Sequence, residues 1–361
     1  MRRRAPQLMA LVGSVLLALV VLGSPLVSRA ARGATTATRD RTGPAQARLL
    51  TQRPIEPVAA AVRLARERAP IPATLNPSTP AGVGAAVASG CLPSFGPGTT
   101  YQLCSLGAVH AAHTVVLLGD SHASMWTPAF VQAAVRLDFR LVPLAKPGCA
   151  LWALHENRPG WPCLSWWRGV LRELAKLRPS ATVVSFLTGN YTLAQAGLAA
   201  RLVERVMQAV PHPVLLADPP SDDWYVDNVP TPSQCMSAAG ANLGRCALHV
   251  TPAIRASLTS IQAMVDRHGY PAIPTLQWFC DQGICPTVID GTVTSEDGNH
   301  VTPQYARLLA PRLTQRLRPV LRALWNAERD GTSGQSRRIA ADRLPAASTV
   351  RSTEASRSVG A

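Results

Sequence analysis

The stretch VVLLGDSHASMW at residues 115–126 decides how this chain is organised. Its four leading apolar residues predict a buried strand of a parallel sheet, and the residues from about Ser124 onward predict a helix. Ser121 would then lie at the carboxyl end of a strand, where open α/β sheets bind ligands and where the first amides of a helix favour negative charge. A serine hydroxyl in that place can attack an acyl carbon. The alternative is that Asp120 and Ser121 only cap the helix.

Further strand and helix patterns alternate along the chain. Predicted strands lie at residues 114–118, 140–145, 181–187, 213–217 and 272–276. Predicted helices lie at residues 125–136, 166–177, 193–210, 251–268 and 302–324. This alternation predicts an α/β fold whose parallel sheet is covered by helices on both faces, with all strand carboxyl ends at one edge.

The net charge of +15 is concentrated outside the predicted globular part. Residues 1–90 carry +9 and residues 327–361 carry +2, so residues 91–326 carry only +4. That segment holds no recognisable nucleic-acid-binding module, so we expect no nucleic-acid partner. Basic flanks beside an apolar segment instead indicate membrane topology and attraction to anionic lipid.

The sequence predicts four regions. Residues 1–30 combine three arginines with an apolar run of about 16 residues, which indicates a signal peptide or a signal anchor in the membrane. Residues 31–90 are rich in Ala, Pro and Arg and predict a linker, although they could also pack on the domain. Residues 91–326 form the predicted catalytic domain, and residues 327–361 predict a disordered tail. The bulk of the chain is therefore expected outside the cytoplasm.

All eight cysteines follow residue 90 and come in close sequential couples, which suits disulfides in an exported protein. Eight cysteines allow about 105 pairings, so nearest-neighbour pairing is a preference. The spacings lack the C-x-x-C pairs of structural zinc sites, so a zinc site is the less favoured alternative, and we expect no metal or cofactor. The couples are Cys91 and Cys104, Cys149 and Cys163, Cys235 and Cys246, and Cys280 and Cys285.

Two irregular insertions follow predicted strands. Residues 148–167 contain four tryptophans, and residues 219–246 contain a cluster of acidic and aromatic residues. Exposed aromatic side chains there would suit sugar rings, and buried ones would fill a small core under a loop; both remain open.

A second polar constellation, Asp297-x-x-His300, stands just before the last predicted helix. This spacing lets the Asp297 carboxylate bond one ring nitrogen of His300, leaving the other free to accept a proton from serine. Such a spacing also arises by chance: Asp297 could belong to an Asx turn and His300 to the surface.

Together these motifs resemble the SGNH hydrolase superfamily, and in particular the SGNH domains fused to acyltransferase-3 membrane domains of bacterial cell-envelope O-acyltransferases. The likeness covers about residues 69–325 and includes APIPATLNPSTP, VVLLGDSHASMW, KPGCALW, CDQGIC and DGNHVTPQYARLLAP. It implies a three-layer α/β/α fold with a five-stranded parallel, flavodoxin-like sheet. Only one apolar segment is present, so the multi-pass membrane domain is not expected within this sequence.

The resemblance also implies roles for individual residues. Ser121 matches the nucleophile, His300 the general base and Asp297 its orienting partner. The Ser121 amide, the Gly148 amide and the Asn190 side chain match the oxyanion donors, although Gly148 and Asn190 could be ordinary turn residues. Gly119 and Asp120 support the nucleophile turn, and no catalytic role is assigned to His122.

The predicted function is therefore transfer of an acyl group, namely acetyl, through Ser121 to a hydroxyl of a cell-envelope glycan. A separate membrane acyltransferase could supply the acyl group. The alternatives are an O-acetyl esterase acting on envelope carbohydrate, which uses water as acceptor, and a non-catalytic glycan-binding module.

Overall fold

A computed structural model describes residues 48–77, 103–151, 163–189, 191–221, 230–295 and 297–330 of the chain. In these ranges the α-helices are α1 (Glu56–Arg66), α2 (Ser121–Ser124), α3 (Thr127–Leu137), α4 (Cys163–Leu177), α5 (Ala196–Ala209), α6 (Pro232–Ser237), α7 (Pro252–His268) and α8 (Pro303–Arg329). The strands are β1 (Leu106–Gly107), β2 (Thr114–Gly119), β3 (Arg140–Ala145), β4 (Ala181–Ser185), β5 (Pro213–Leu216), β6 (Leu248–His249), β7 (Ala272–Ile273), β8 (Ile284–Cys285), β9 (Val288–Ile289) and β10 (Thr292–Val293). Single turns of 3₁₀ helix lie at Leu193–Gln195 and Leu276–Trp278.

The central sheet has six strands in the order β1-β3-β2-β4-β5-β7. The last five are parallel, and β1 pairs with β3 in the antiparallel sense. Counted among themselves, the parallel strands follow the order 2-1-3-4-5, which is the flavodoxin-like order. The predicted α/β class with five parallel strands is confirmed, and the two-residue strand β1 adds an edge that the sequence pattern does not reveal.

Side-chain alternation along β2 divides the core into two layers, one on each face of the sheet. Val115 and Leu117 pack in the layer that contains α3 and α8. Val116 and Leu118 pack in the layer that contains α4, α5 and α7. Every residue of β2 is buried, which explains why the strand reads as a continuous apolar run rather than as an alternating one.

Part of the predicted linker packs on the domain, which is the alternative that the sequence left open for residues 31–90. Helix α1 buries Val58, Ala61 and Val62 in the layer of α3 and α8. These residues recur at helical spacing and form an apolar stripe that is buried only by packing on the domain. The proline-rich chain after α1 continues along the domain, where Asn76 bridges to Thr292.

The remaining terminal predictions fall outside the described residues: the signal segment at 1–30, the rest of the linker and the tail from 331 onward. Helix α8 runs five residues past its predicted end at 324 and continues through Pro311 and Pro319, since its buried face packs along α3. None of the described helices is both long and apolar enough to cross a membrane.

Three predicted disulfides are present: Cys149–Cys163, Cys235–Cys246 and Cys280–Cys285. Cys104 is also disulfide-bonded, while Cys91 lies outside the described residues, so that couple stays a prediction. All seven cysteines in the described residues are therefore disulfide-bonded and are not available as zinc ligands. The presence of these disulfides indicates folding in an oxidising, extracytoplasmic compartment.

Two of the insertion tryptophans are structural. Trp166 and Trp167 lie in α4 and are buried in the core, so they do not offer exposed rings to a sugar. Trp152 and Trp161, and the acidic and aromatic residues at 222–225, lie outside the described residues.

Candidate active site

The turn after β2 is shaped by a close approach between two strands. A β-carbon at Gly119 would lie 1.7 Å from the Ser185 carbonyl oxygen of β4, so only glycine fits there. The next residue, Asp120, caps α2: its Oδ1 accepts the N–H of His122 at 2.8 Å. Its Oδ2 accepts the N–H of Leu187 at 3.1 Å, which ties the turn to the chain leaving β4.

Asp120 is buried, and this burial raises the pKa of its carboxyl. The charge of His122 and the backbone N–H groups of His122 and Leu187 offset only part of that effect. The two hydrogen bonds from the N–H groups of His122 and Leu187 are the contacts through which Asp120 supports the turn.

Ser121 is the first residue of α2 and is partly exposed at the carboxyl edge of the sheet. This position matches the sequence-based expectation of a serine at a strand end. The N–H groups that follow Ser121 are engaged in the turn: that of His122 donates to Asp120 Oδ1, and those of Ala123 and Ser124 donate to the Asp120 carbonyl.

His300 and Asp297 form a hydrogen-bonded pair. His300 Nδ1 lies 2.8 Å from Asp297 Oδ2, and Asp297 Oδ1 accepts the N–H groups of Asn299 and His300. Because a carboxylate can only accept, Nδ1 carries the proton and Nε2 of a neutral ring presents a lone pair. Nε2 is buried and has no hydrogen-bond partner.

Burial alone would raise the pKa of Asp297, but its hydrogen bond to His300, the charge of His300 and the two N–H groups hold the pKa below the ordinary value. Asp297 therefore stays ionised at neutral pH, as an orienting carboxylate requires.

The segments that carry Ser121 and His300 meet at the sheet edge. The ring of His122, the residue next to Ser121, lies 5.1 Å from the ring of His300 at an interplanar angle of 55°. No hydrogen bond joins Ser121 to His300 Nε2, so proton transfer between them requires the two side chains to approach hydrogen-bonding distance.

A second histidine–aspartate pair lies beneath the first. His122 Nδ1 is 2.5 Å from Asp218 Oδ1, and both side chains are almost fully buried. Burial alone would lower the pKa of His122, but the charge and hydrogen bond of Asp218 and the charges of Asp120 and Asp297 raise it to about 9. His122 is therefore protonated at neutral pH.

Asp218 also holds the loop that follows β4. Its Oδ2 accepts the N–H of Thr188 at 2.6 Å, the Thr188 hydroxyl at 3.3 Å and the N–H of Gly189 at 3.2 Å. Neither Asp218 nor this use of His122 is anticipated from the sequence. The available signal was the position of Asp218 directly after a predicted strand.

Besides the Ser121 amide, two further oxyanion donors are predicted, the Gly148 amide and the Asn190 side chain. Gly148 lies in the turn after β3 with a φ of 80°, a left-handed conformation that favours glycine. Asn190 lies outside the described residues, but its neighbour Gly189 is fixed by Asp218.

A shallow cavity opens beside the general-base candidate, with about 310 Å³ of empty space including the part open to solvent. Its walls are mainly apolar, and Asn299 and His300 contribute polar groups; Asn299 Oδ1 is buried without a partner. The apolar residues include Pro219, Pro220 and Phe279. In the described residues, no cluster of three or more His, Cys, Asp or Glu side chains is arranged to hold a metal ion.

Comparison with known proteins identifies the family. The chain is similar in structure to the periplasmic domain of a lipopolysaccharide acetyltransferase from Salmonella ser. Paratyphi A (12% identity, 73% of this chain and 97% of that chain covered, TM-score 0.43). It is also similar to the inhibitor-bound M. Smegmatis aryl esterase (14% identity, 58% and 100% covered, TM-score 0.39). With TM-scores this low, neither similarity bears on function. No curated protein matches the chain in sequence.

The sequence matches the protein-family model "SGNH domain (fused to AT3 domains)" over residues 90–315, which is more than half of the chain. The chain therefore belongs to the family of SGNH domains that are fused to AT3 domains, and it is an enzyme of the SGNH type.

Proposed function

We propose that this protein transfers an acetyl group to hydroxyls of a cell-envelope glycan through an acyl-serine intermediate on Ser121. The observation that carries the proposal is the His300–Asp297 pair, whose unpartnered Nε2 lies at the same sheet edge as the Ser121 turn. A base fixed in the correct tautomer beside a partly exposed serine is the arrangement that serine acyl transfer requires.

The first half-reaction forms the acyl-serine. His300 Nε2 takes the Ser121 hydroxyl proton while Ser121 Oγ bonds to the acyl carbon. The resulting oxyanion would be stabilised by the amides of Ser121 and Gly148 and by the side chain of Asn190. When this intermediate collapses, His300 returns its proton to the departing group of the acyl donor.

The second half-reaction releases the acyl group. His300 takes a proton from a glycan hydroxyl, whose oxygen attacks the acyl carbon; the bond to Ser121 Oγ breaks, and His300 reprotonates the serine. In each half-reaction His300 accepts one proton and gives one up: the serine proton leaves with the departing group of the donor, and the glycan proton restores the serine hydroxyl.

The acyl donor would be a partner. Family membership favours a membrane acyltransferase that delivers the acyl group to Ser121, with a glycan as the final acceptor. The disulfides favour action outside the cytoplasm, and the N-terminal apolar segment would hold the enzyme at the membrane.

An esterase with the same machinery is the second candidate. Ser121 is partly exposed, and the cavity beside His300 is open to solvent, so water can compete with a glycan hydroxyl for the acyl-serine. Only the acceptor separates the two functions.

The test uses the full chain and its Ser121→Ala variant. We expect a fluorophosphonate probe to label the wild-type chain at Ser121 and p-nitrophenyl acetate to be hydrolysed, with both signals lost in the variant. Absence of labelling and of turnover in the folded wild-type chain would contradict the enzyme proposal and favour a glycan-binding module.

The second stage separates transferase from esterase. Glycan acceptors are added to the same reaction, and acetylated sugar is followed by mass spectrometry. Acetyl-sugar formation at the expense of free acetate supports transfer, whereas unchanged acetate release with every acceptor supports the esterase.

A further inference from the structure

The buried pair of His122 and Asp218 joins three parts of the active-site edge. His122 belongs to α2 next to Ser121, and Asp218 follows β5. Asp218 also holds Thr188 and Gly189, which follow β4. One carboxylate thus fixes both the nucleophile turn and the loop that leads to Asn190.

The energetics of burial argue against a role of this pair in stability alone. Burying an ion pair costs desolvation, and an apolar pair of similar volume is often as stable or more stable. His122 Nε2 is also buried with no hydrogen-bond partner, which costs free energy of folding that an apolar side chain in the same place would not cost. We therefore looked for a function of the His122–Asp218 pair in the site.

The second contact of His122 is with the general-base candidate. Its ring lies 5.1 Å from that of His300. His122 is in turn held by its bond to Asp218. A ring held in this way should restrict rotation of the neighbouring His300 side chain, so loss of the His122–Asp218 bond is expected to shift His300 relative to Ser121.

We propose that His122 and Asp218 are a positioning pair for acyl transfer: His122 supports the ring of His300, and Asp218 fixes Thr188 and Gly189, which precede the predicted oxyanion donor Asn190 in the chain. The inference rests on the proposed function of Ser121. It assigns no proton transfer to His122, which acts through His300.

The charge on His122 gives the pair a pH signature. The charged or titratable groups that face it are Asp218 after β5, Asp120 at the start of its own helix, and Asp297 and His300 before α8. Above about pH 9 His122 loses its proton, and its bond to Asp218 loses its ionic character.

The test compares His122→Gln and Asp218→Asn with a matched control, His268→Gln. His268 also pairs with a carboxylate, that of Glu204, but on helices α7 and α5 away from the site. The measured quantities are the rate of fluorophosphonate labelling at Ser121 between pH 7 and 10, and kcat and KM for p-nitrophenyl acetate. Cooperative thermal unfolding and intact disulfides establish that each variant is folded.

We expect the two site variants to lower kcat and the labelling rate by about 10- to 100-fold with KM nearly unchanged, since a displacement of about 1 Å can cost that much. The wild-type labelling rate should fall as the pH passes about 9, and folded His122→Gln should lack that fall. His268→Gln should match the wild-type protein throughout.

Each other result has a distinct meaning. Wild-type rates in folded His122→Gln would overturn the positioning role while leaving the proposed function intact. No labelling of wild-type Ser121 would overturn the proposed function and this inference with it. If both site variants fail to fold, the wild-type profile decides: a fall near pH 9 supports the inference, and a constant rate to pH 10 overturns it.

Discussion

The active-site edge holds two histidine–aspartate pairs that differ in almost every respect. His300 and Asp297 are three residues apart, lie on one loop and retain some exposure, with side chains 11% and 19% accessible. His122 and Asp218 are 96 residues apart and almost fully buried. The local pair leaves His300 Nε2 without a hydrogen-bond partner, and His300 lines the cavity. The remote pair connects separate elements of the fold.

The difference shows how one type of hydrogen bond can serve two purposes. In the local pair, the hydrogen bonds to His300 and to two backbone N–H groups lower the pKa of the Asp297 carboxyl, which stays ionised and orients the His300 ring. In the remote pair, the charge and hydrogen bond of Asp218 raise the pKa of His122 to about 9, so that His122 keeps its proton. The first pair suits chemistry and the second suits positioning.

The largest effect is expected from removal of the local histidine. His300→Ala should lower kcat/KM by about 10²–10⁴-fold, because general-base catalysis contributes that much. Steady-state hydrolysis of p-nitrophenyl acetate measures it. A loss no greater than that of His122→Gln would reverse the assignment of the two pairs.

Loss of the Asp297 carboxylate should lower kcat more than loss of the Asp218 carboxylate. Asp297→Asn should cost about 10²–10⁴-fold in kcat because it disturbs the tautomer of His300. Asp218→Asn should cost about 10- to 100-fold. If both act on His300, the double variant will deviate from additivity by about 0.5–3 kcal/mol in activation free energy; strict additivity would indicate that the pairs work independently.

Stability should depend on pH through the remote pair. The folded state raises the pKa of His122 from 6.5 to about 9, so its contribution is complete below pH 6.5 and is lost as the pH rises through about 9. The free energy of unfolding should fall by about 3 kcal/mol over that interval. Denaturant titrations at a series of pH values measure it, and the His122→Gln chain should show a flatter dependence.

The local pair predicts a stability change at the opposite end of the pH scale. Since the pKa of Asp297 is lowered on folding, its contribution is present above the ordinary value of 3.8 and is lost as the pH falls through the lower, folded-state pKa. The same titrations extended to acid pH should therefore give similar losses for the wild-type and His122→Gln chains.

The smallest effect is expected at Ser257, whose hydroxyl donates to the Thr188 carbonyl at 3.1 Å from α7. Asp218 already holds Thr188 through two hydrogen bonds. Ser257→Ala should cost about 1 kcal/mol of unfolding free energy and leave kcat nearly unchanged. A loss of kcat as large as that of Asp218→Asn would show that the loop depends on α7 instead.

Local features of the chain were accessible from the sequence. Strand β3 has its predicted bounds because its apolar residues form one short run, and residues 297–300 carry a spacing that permits the Asp297–His300 bond. Three cysteine couples separated by 14, 11 and 5 residues are bonded as nearest neighbours. In each case the partners are close along the chain, so spacing alone brings them within reach.

Other features were decided by the tertiary structure. The sequence does not show that α1 packs on the domain, that Trp166 is buried, or that Asp218 meets His122. The last contact arises because the sheet order brings the ends of β2, β4 and β5 to adjacent positions along one edge. Strand order depends on the packing of helices on both faces, and no local spacing encodes it. The sequence by itself determined where the five parallel strands and the Asp297–His300 motif lie, and the fold determined which residues surround them.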